Sequence, residues 1–429
     1  MRGEIVFAEE MFPQLASFMA TAAREGTTLQ LSDFRLEEQE GNLAAVQGQN
    51  NFQVRAAGRL AGAYEMREDI DNRFRGNVDA RVTVSKPLYH WGNLERREVV
   101  AESRIALEEV MATGQGARHF MAIRQAYLEW LLMQERQRIL EQSINLNESF
   151  VSARRQLVEA GQSSEQDVLE MEARLLENHE SLAYVVRRSS ELESQLRRLV
   201  GPSFSRDSLE PVALTIIEPM DGASFDRLVA RATGTSTTLF DPSVERFSVL
   251  EEIESENLAI LNRNHRPNVD LVAGVFSDYL DSINQEDFVF RIQYYAGLQV
   301  NWNIFDGWQT DGWKRSSLAR KRAYALQEEA ARDETRQRIE TLLADLQLNL
   351  KQIEARSKRE IILDRRVTFL REQADRNQIT GVDRIEGEID YLEVRQRLME
   401  ARVNYLLNLM ELGLLLGEDP AASYYRMES

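Results

Sequence analysis

The sequence contains no cysteine, so disulfide bonds, thiolate metal sites and a cysteine nucleophile are all excluded. Proline and glycine are also scarce, with 8 and 22 copies in 429 residues. These two residues are the strongest helix breakers. Their scarcity predicts a mainly helical chain built from long helices.

The sequence also lacks a long hydrophobic run. No stretch approaches the ~18 consecutive apolar residues of a transmembrane helix. The best candidate, Tyr405 to Leu416, is interrupted by Asn408, Glu411 and Gly413. The opening residues 1–8 are too short and too acidic to be typical of a signal peptide, so export has to be inferred without that signal.

Basic side chains are outnumbered, 52 to 70, which gives a formal net charge of −18. Because affinity for nucleic acid depends on clustered Lys and Arg, nucleic acid is not an expected partner. The four histidines have no helical or turn-spaced partner and are His90, His119, His179 and His265. With no P-loop, dinucleotide fingerprint or nucleophile elbow either, the sequence predicts no catalytic residue, no metal site and no cofactor.

The two halves of the sequence are related by a constant offset of 216 residues. At this offset Val84 meets Val300, and Leu199-Val200-Gly201 meets Leu415-Leu416-Gly417. We therefore predict two tandem structural repeats. The predicted regions are a first repeat at 1–201, a less periodic equatorial connector at 202–240, a second repeat at 241–417 and a C-terminal tail at 418–429.

Each repeat is predicted to contain a tight helix-turn-helix tip, near 160–167 in the first and 376–383 in the second. Gly161 and Asn377 correspond in the two tips, and Gly and Asn most readily adopt the left-handed conformation that ends a helix. A Ser or Thr followed three residues later by Asp then resembles a capping box that starts the next helix. These capping positions are Ser164 with Asp167, and Thr380 with Asp383.

Apolar residues alternate at spacings of three and four on both sides of each tip, which predicts coiled-coil helices. The helix entering the first tip, roughly 94–160, has two neighbouring apolar seams and is expected to have partners on both sides, as in a closed tube. Its ~65 residues would span about 100 Å. The seams that follow the tips are Val168, Met171, Leu175, Leu182, Val185, Leu192, Leu196 and Leu199 in the first repeat, and Val382, Ile385, Ile389, Leu392, Met399, Val403, Leu406 and Met410 in the second.

Four segments, at about 52–66, 77–86, 268–280 and 287–302, alternate apolar and polar residues with a period of two and are predicted strands. Alternation alone favours an ordinary amphipathic sheet on a soluble core. The placement of aromatic residues where strands meet helices instead favours a membrane interface. These interface candidates are Tyr89, Trp91, Trp302, Phe305 and Trp308.

Four strands cannot close a membrane barrel, and open sheet edges are not tolerated in lipid. If the strands lie in a membrane, the barrel must be shared between several copies of the chain. Polar loops are expected to join the strand pairs, at 67–77 and 281–287.

The segment Ile304-Phe305-Asp306-Gly307-Trp308 resembles the strand-to-helix motif of the TolC family of outer-membrane efflux and secretion channels. Ala401 to Leu409 is similar to the family's final-helix pattern, and the duplicated order of elements matches from about Phe12 to Gly417. The sequence departs from the family pattern where Asn303 replaces a Pro and where His90-Trp91 replaces Asp-Gly.

The resemblance implies a mainly α protein with a membrane β-barrel portion. A homotrimer would form a twelve-stranded barrel in the outer membrane and a coiled-coil tube in the periplasm. Such a channel is a passive conduit for small molecules or unfolded proteins in tripartite efflux or type I secretion, and it is not an enzyme. Its implied partners are a periplasmic adaptor, an inner-membrane pump and the lipid bilayer.

The resemblance also assigns roles to the tips. Asp383 and Glu386 match positions that form acidic rings at the periplasmic entrance, although acidic residues at a helix start often only cap it. The implied adaptor-contact residues are Gly161, Ser164, Asp167, Asn377 and Thr380. Two alternatives remain: a periplasmic adaptor, which would show one hairpin and a Gly-rich lipoyl-like domain, and a coiled-coil scaffold, which would leave the strands unexplained.

Overall fold

The computed structural model describes residues 5–67, 70–162, 164–234, 239–281, 288–376 and 381–425. It is mainly helical, with four strands in one antiparallel sheet, as the sequence predicts. The helices are α1 (Ala8–Met11), α2 (Pro13–Glu25), α3 (Thr27–Gly48), α4 (Asn93–Glu159), α5 (Glu165–Val200), α6 (Gly222–Ala232), α7 (Pro242–Leu261), α8 (Gln309–Asp375), α9 (Gly381–Leu415) and α10 (Ala422–Tyr425). The strands are β1 (Gln53–Arg67), β2 (Ile70–Tyr89), β3 (Asn268–Asp281) and β4 (Phe288–Asn301).

The chain divides into two compact units that cut across the sequence repeats. We call Met1–Asp33, Met111–Pro242 and Ala330–Ser429 the helical unit. The sheet unit comprises Phe34–Val110 and Ser243–Glu329. Each repeat contributes to both units, and α4 and α8 each belong partly to one unit and partly to the other. Within the described residues, none of the helices is long and apolar enough to cross a bilayer.

The core of the helical unit follows the predicted heptad seams. On α5 the seam residues Val185, Leu192 and Leu196 are fully buried, and on α9 Val403 and Met410 are buried as well. Polar residues on the α5 seam have partners, because Ser189 accepts a 2.7 Å hydrogen bond from Gln134 and Asn178 donates to Ser143 over 3.3 Å. The coiled-coil prediction is confirmed for these helices.

The two seams of α4 also have the partners that they require. One buried cluster joins Phe150 and Val151 of α4 to Val168 of α5 and to Ile385 and Ile389 of α9. Because this cluster includes residues from helices of both repeats, α4 packs against two neighbours. A helix with a single apolar stripe could not do so.

The sheet has the strand order β1-β2-β3-β4, so β1 and β4 are its two edges. The register pairs Val54 with Val84 and Val275 with Tyr294, which keeps the apolar residues of all four strands on one face. Strand β2 begins at Ile70, and Ala61 pairs with Asn77. The predicted polar loop at 67–77 is therefore wrong, because backbone pairing with β1 continues through a segment in which most residues are polar. The predicted loop at 281–287 falls almost entirely outside the described residues.

The connector contains α6 and two short 3-10 turns at Arg206–Ser208 and Leu214–Ile216. Asp221 caps α6 by accepting a 2.7 Å hydrogen bond from the backbone N–H of Ser224. Leu214 and Leu228 are buried in the main core of the helical unit. The connector is thus packed as part of this unit.

Candidate functional sites: the sheet faces, the strand-helix junctions and the hairpin tips

One face of the sheet exposes large apolar side chains. The exposed fraction is 83% for Leu60, 74% for Met66 and 78% for Tyr294. Leaving such side chains in water forfeits roughly 1.5–3 kcal/mol each relative to burial. The other exposed apolar residues on this face are Val54, Tyr64, Val78, Val82, Leu271, Ile292, Leu298 and Val300. A continuous apolar surface of this kind marks contact with another protein or with lipid.

The opposite face of the sheet is polar. It includes a concavity of about 480 Å³ whose lining contains Arg55, Arg81, Asp270, Gln299 and Asn301. Asp270 accepts hydrogen bonds from His90 (2.7 Å) and from Asn301 (3.2 Å). The sheet therefore has one apolar and one hydrophilic surface, as a strand wall between lipid and water requires.

Both strand-to-helix junctions contain two consecutive residues in the left-handed conformation. In the first repeat these are Trp91 (φ 58°) and Gly92 (φ 74°), and in the second they are Gly307 (φ 67°) and Trp308 (φ 68°). The positions correspond at the 216-residue offset, with Trp and Gly exchanged. A left-handed Trp is an uncommon and strained conformation, so each must be held by its surroundings or retained for a function.

The two strained tryptophans have different surroundings. The indole N–H of Trp91 donates to the carbonyl of Pro267 over 2.8 Å, and the Arg266 guanidinium lies 4.9 Å from its ring centroid. Trp308 is 72% exposed and contacts Phe305 edge-on, with the centroids 5.8 Å apart. Trp91 is thus braced within the sheet unit, whereas Trp308 presents its ring outward.

The remaining interface candidates are exposed. The ring of Tyr89 contacts that of Trp91 edge-on, with the centroids 4.9 Å apart, and Phe305 is 66% exposed. The indole N–H of Trp302 donates to the carbonyl of His265 over 2.8 Å, while more than half of the side chain stays accessible. An aromatic ring with an apolar body and one anchored polar atom suits a membrane interface.

The first hairpin tip ends α4 with Gly161 at φ 71°. The N–H of Gln162 donates to the carbonyl of Leu157 (2.8 Å), and the N–H of Gly161 donates to that of Val158 (2.9 Å). This pair of bonds is a Schellman motif and satisfies two carbonyls at the end of α4. Ser164 then caps α5 by accepting a 3.2 Å hydrogen bond from the N–H of Gln166.

Asp167 lies in the first turn of α5, two residues after its start. The cap of α5 is formed by the hydroxyl of Ser164, so the Ser164 half of the predicted capping box is present. Asn377 and Thr380, the corresponding predictions in the second tip, lie outside the described residues.

Asp383 and Glu386 are both exposed on the first turns of α9. Just beyond them Gly387 lets α9 approach α8 closely, because a Cβ at this position would lie 2.5 Å from a methyl of Leu370. Ion pairs between the two helices flank this contact. They join Arg371 to Glu388 (2.8 Å) and Arg366 to Asp390 (3.3 Å).

One of these ion pairs involves Asp390, which lies on the same helix as the two predicted gate residues. Asp390 follows Asp383 on the same helix face at i+7, and its carboxylate is paired with Arg366. Hydrogen bonding to Glu388 raises the pKa of Arg371 above its ordinary value. Two ion pairs thus join α8 to α9 immediately beside the predicted acidic entrance.

A buried ion cluster in the helical unit was not predicted from the sequence. Arg124 of α4 is fully buried and donates to both carboxylate oxygens of Glu9 and of Asp419. The hydroxyl of Tyr425 donates to Asp419 over 2.8 Å, and the ring of Phe7 lies 5.0 Å from the guanidinium. Burial alone lowers the pKa of Arg124, but the hydrogen bonds that it donates to Glu9 and Asp419 raise the pKa above its ordinary value.

The histidines occupy unrelated places. His90 is bonded to Asp270, and His265 is 3.1 Å from the carbonyl of Asn303 through Nδ1. His119 is buried, and its burial lowers its pKa. Across the described part of the chain, no group of three or more His, Asp or Glu side chains is arranged to hold a metal ion.

No protein-family model and no curated protein matches the chain. Solved outer-membrane channels match its fold over almost their whole length. The channel OprN superposes with a TM-score of 0.75 at 14% identity, covering 97% of this chain and 93% of that chain. The Campylobacter jejuni channel CmeC gives a TM-score of 0.75 at 11% identity, covering 97% and 87%. The open state of the Neisseria gonorrhoeae channel MtrE gives 0.68 at 14%, covering 94% and 89%.

The chain has the fold of these outer-membrane channels. The resemblance to the TolC family that the sequence motifs indicated is confirmed at the level of the fold. The solved structures to which it is similar are channels and not enzymes.

Proposed function

We propose that the protein is an outer-membrane channel, a passive conduit that three copies of the chain build together, and that it catalyses no reaction. The observation that carries the proposal is the sheet, which exposes an apolar face and leaves two edges open. In a bilayer the apolar face makes favourable contact with lipid. Every backbone N–H or C=O left unpaired at a sheet edge, however, costs several kcal/mol of free energy. The edges must therefore pair with other copies.

The strand order allows this pairing. β1 and β4 run in opposite directions because the four strands alternate, so β4 of one copy can pair antiparallel with β1 of the next. Three copies would give twelve strands, which exceeds the eight of the smallest membrane barrels. The resemblance to trimeric channels favours three over other numbers.

We assign the hairpin tips to contact with a periplasmic adaptor, which would couple the channel to an inner-membrane pump in tripartite efflux or type I secretion. The exposed backbone turn at Gly161 and Gln162 and the exposed start of α5 support a docking role for the first tip. Asn377 and Thr380 have the same assignment by the repeat. The exported cargo would be small molecules or unfolded proteins.

Barrel sharing can be tested with cysteines, because the chain has none of its own. Ala57→Cys in β1 is combined in turn with Gln293→Cys, Tyr295→Cys and Gly297→Cys in β4, and the membranes are oxidised. One register should give covalent oligomers that stop at three chains, and Ala57→Cys alone should give none.

Two other results would favour the alternatives. A protein that stays in solution without detergent and forms no oligomer in any register would be a coiled-coil scaffold. A monomer that binds a separate outer-membrane channel would be a periplasmic adaptor. The duplication already argues against an adaptor, because an adaptor would have one hairpin and this chain has two.

We further propose that Asp383 and Glu386 form an acidic ring at the periplasmic entrance. A threefold axis would bring six carboxylates around one opening, and such rings select and bind cations. Trivalent cations added from the tip side of a planar bilayer should block the wild type. The double variant Asp383→Asn, Glu386→Gln should lose most of this block.

The matched control removes two exposed carboxylates from the start of α5 instead, with Glu165→Gln and Glu170→Gln, and should remain blocked. Equal block of the wild type and the Asp383/Glu386 variant would mean that these carboxylates only stabilise the start of α9.

A further inference from the structure

Basic side chains are concentrated on the polar face of the sheet, although the chain as a whole carries a net charge of −18. The register places Arg55, Arg59 and Arg81 on this face together with Arg291 of β4. The acidic residues that the register places there, within 53–60, 78–89, 270–278 and 291–301, are Asp79, opposite Arg59, Asp270, and Asp278, opposite Arg291. Asp270 already accepts hydrogen bonds from His90 and Asn301. Within these ranges four arginines outnumber three aspartates, so this part of the face is locally positive in a strongly acidic protein.

An aromatic ring fixes the position of the positive charges. Arg81 lies directly opposite Phe276 in the β2–β3 register, and its guanidinium carbon is 5.8 Å from the ring centroid. The guanidinium carbon of Arg291, on the next strand, is 5.6 Å from the same ring. Two arginines on one ring form cation–π contacts that hold both guanidinium groups beside each other.

A second contact stiffens the same region. The Tyr295 hydroxyl lies 3.1 Å from the hydroxyl of Thr83, so the phenol reaches across β3. Gly274 makes this possible, because a Cβ there would lie 2.8 Å from the Tyr295 oxygen. The Tyr295 ring also lies 6.4 Å from Phe276. The arginines therefore project from a braced surface and not from a flexible loop.

Arg81 keeps its hydrogen-bonding capacity. Its side chain is exposed, and among the described residues no carboxylate lies within salt-bridge distance of it. A guanidinium presents five N–H donors in a planar fork that matches the oxygens of a carboxylate or phosphate. An exposed, aromatic-braced Arg is thus suited to bind an oxyanion.

We infer that the polar face of the sheet is an oxyanion-binding surface centred on Arg81 and Phe276. This inference rests on the proposed channel function, in which the polar face lines the lumen of the barrel and three copies of Arg81 lie at one level. Solutes that carry carboxylate or phosphate groups would be attracted and briefly held there. The surface would complement the acidic tips, which favour cations.

The test measures the block of single-channel current by anions added from the barrel side of a planar bilayer. Inorganic pyrophosphate and citrate are added in separate arms at constant ionic strength, so that phosphate and carboxylate chemistry can be told apart. Arg81→Gln should raise the half-blocking concentration roughly three- to tenfold, since a charge-assisted contact is lost at a partly screened site. Arg81→Lys, which keeps the charge, should retain most of the block.

Arg315→Gln is the matched control, because it removes an exposed arginine of the sheet unit from α8 and not from the sheet. The inference is supported if Arg81→Gln weakens the block by either anion and Arg315→Gln does not. It would be overturned by equal block of Arg81→Gln and the wild type, by no block from either anion, or by equal loss in the control. Failure of the wild type to form pores at all would overturn the proposed channel itself, which is a distinguishable outcome.

Discussion

The helical unit and the sheet unit use the same apolar residue types in opposite ways. In the helical unit Leu192 and Leu406 are at most 1% exposed, whereas Leu60 of the sheet unit is 83% exposed. Arginine side chains show the opposite pattern, because Arg124 is fully buried in the helical unit and Arg81 is exposed on the sheet. The contrast indicates that the helical unit buries its apolar side chains within itself, whereas the apolar face of the sheet requires contact with lipid or with another protein.

The largest effect is expected from the buried ion cluster. Arg124→Met would leave the carboxylates of Glu9 and Asp419 buried without their cation, which typically costs about 3–5 kcal/mol. Thermal or denaturant unfolding of the detergent-solubilised protein measures the loss. The control is Arg187→Met, which breaks an exposed ion pair with Glu191 at 2.9 Å and should change stability little.

A double variant makes this prediction sharper. Arg124→Met combined with Asp419→Asn removes the most deeply buried uncompensated carboxylate, so it should be less destabilised than Arg124→Met alone. A double variant that is as unstable as the sum of its two single variants would show that the cluster does not act as one unit.

The second prediction tests the environment of the apolar face. Ile292→Arg should cost ~2 to 4 kcal/mol of membrane insertion if the side chain faces the middle of the bilayer. Gln299→Arg, on the polar face of the same strand, should insert normally. Recovery of trimer from detergent-extracted membranes is the measurement. Equal recovery of both variants would mean that the apolar face does not contact lipid.

The third prediction concerns the first tip. Gly161→Val should destabilise the turn by roughly 1–2 kcal/mol, because L-residues resist the left-handed conformation and β-branching adds to the cost. Gly161→Asn is the matched control and reproduces the residue found at 377 in the second repeat. Adaptor binding should weaken in the Val variant and persist in the Asn variant, with trimer yield unchanged in both. Unaltered adaptor binding by the Val variant would remove this tip from the docking surface.

The sequence predicts the features that depend on local pattern. The repeat offset is visible even in backbone conformation, since Gly201 (φ 118°) and Gly417 (φ 75°) both follow a helix with the positive φ that glycine tolerates best. Heptad spacing correctly placed Val185, Leu192 and Leu196 of α5 and seven buried residues of α9 from Ile385 to Met410, because coiled-coil packing follows from local periodicity. The start of β2 was missed, since a mostly polar segment reads as a loop although its backbone pairs with β1.

Long-range contacts could not be predicted in the same way. Arg124 meets Glu9 and Asp419 across sequence separations of 115 and 295 residues, and no local spacing signals such a cluster. The bond from Trp91 to Pro267 also joins different repeats. The basic polar face was visible in part as Arg55, Arg59 and Arg81, but the bracing by Phe276 depends on the β2–β3 register.

The smallest effect on stability is expected from His119. Because this histidine is buried, it should make the stability of the helical unit depend on pH. Its imidazole is buried and its Nε2 has no hydrogen-bond partner among the described residues. Burial lowers its pKa from the ordinary 6.5, partly opposed by a bond to the carbonyl of Leu199. The unfolded chain therefore binds a proton before the folded one does, so stability is complete above pH 6.5 and declines as the pH falls below it.

His119→Asn, which cannot titrate, should show a shallower decline in melting temperature between about pH 7 and 5, in the range where histidine titrates. His179→Asn, at an exposed position on α5, should keep the wild-type slope. If the His119 variant loses stability on acidification as steeply as the wild type, protonation of the buried imidazole does not limit the stability of the helical unit.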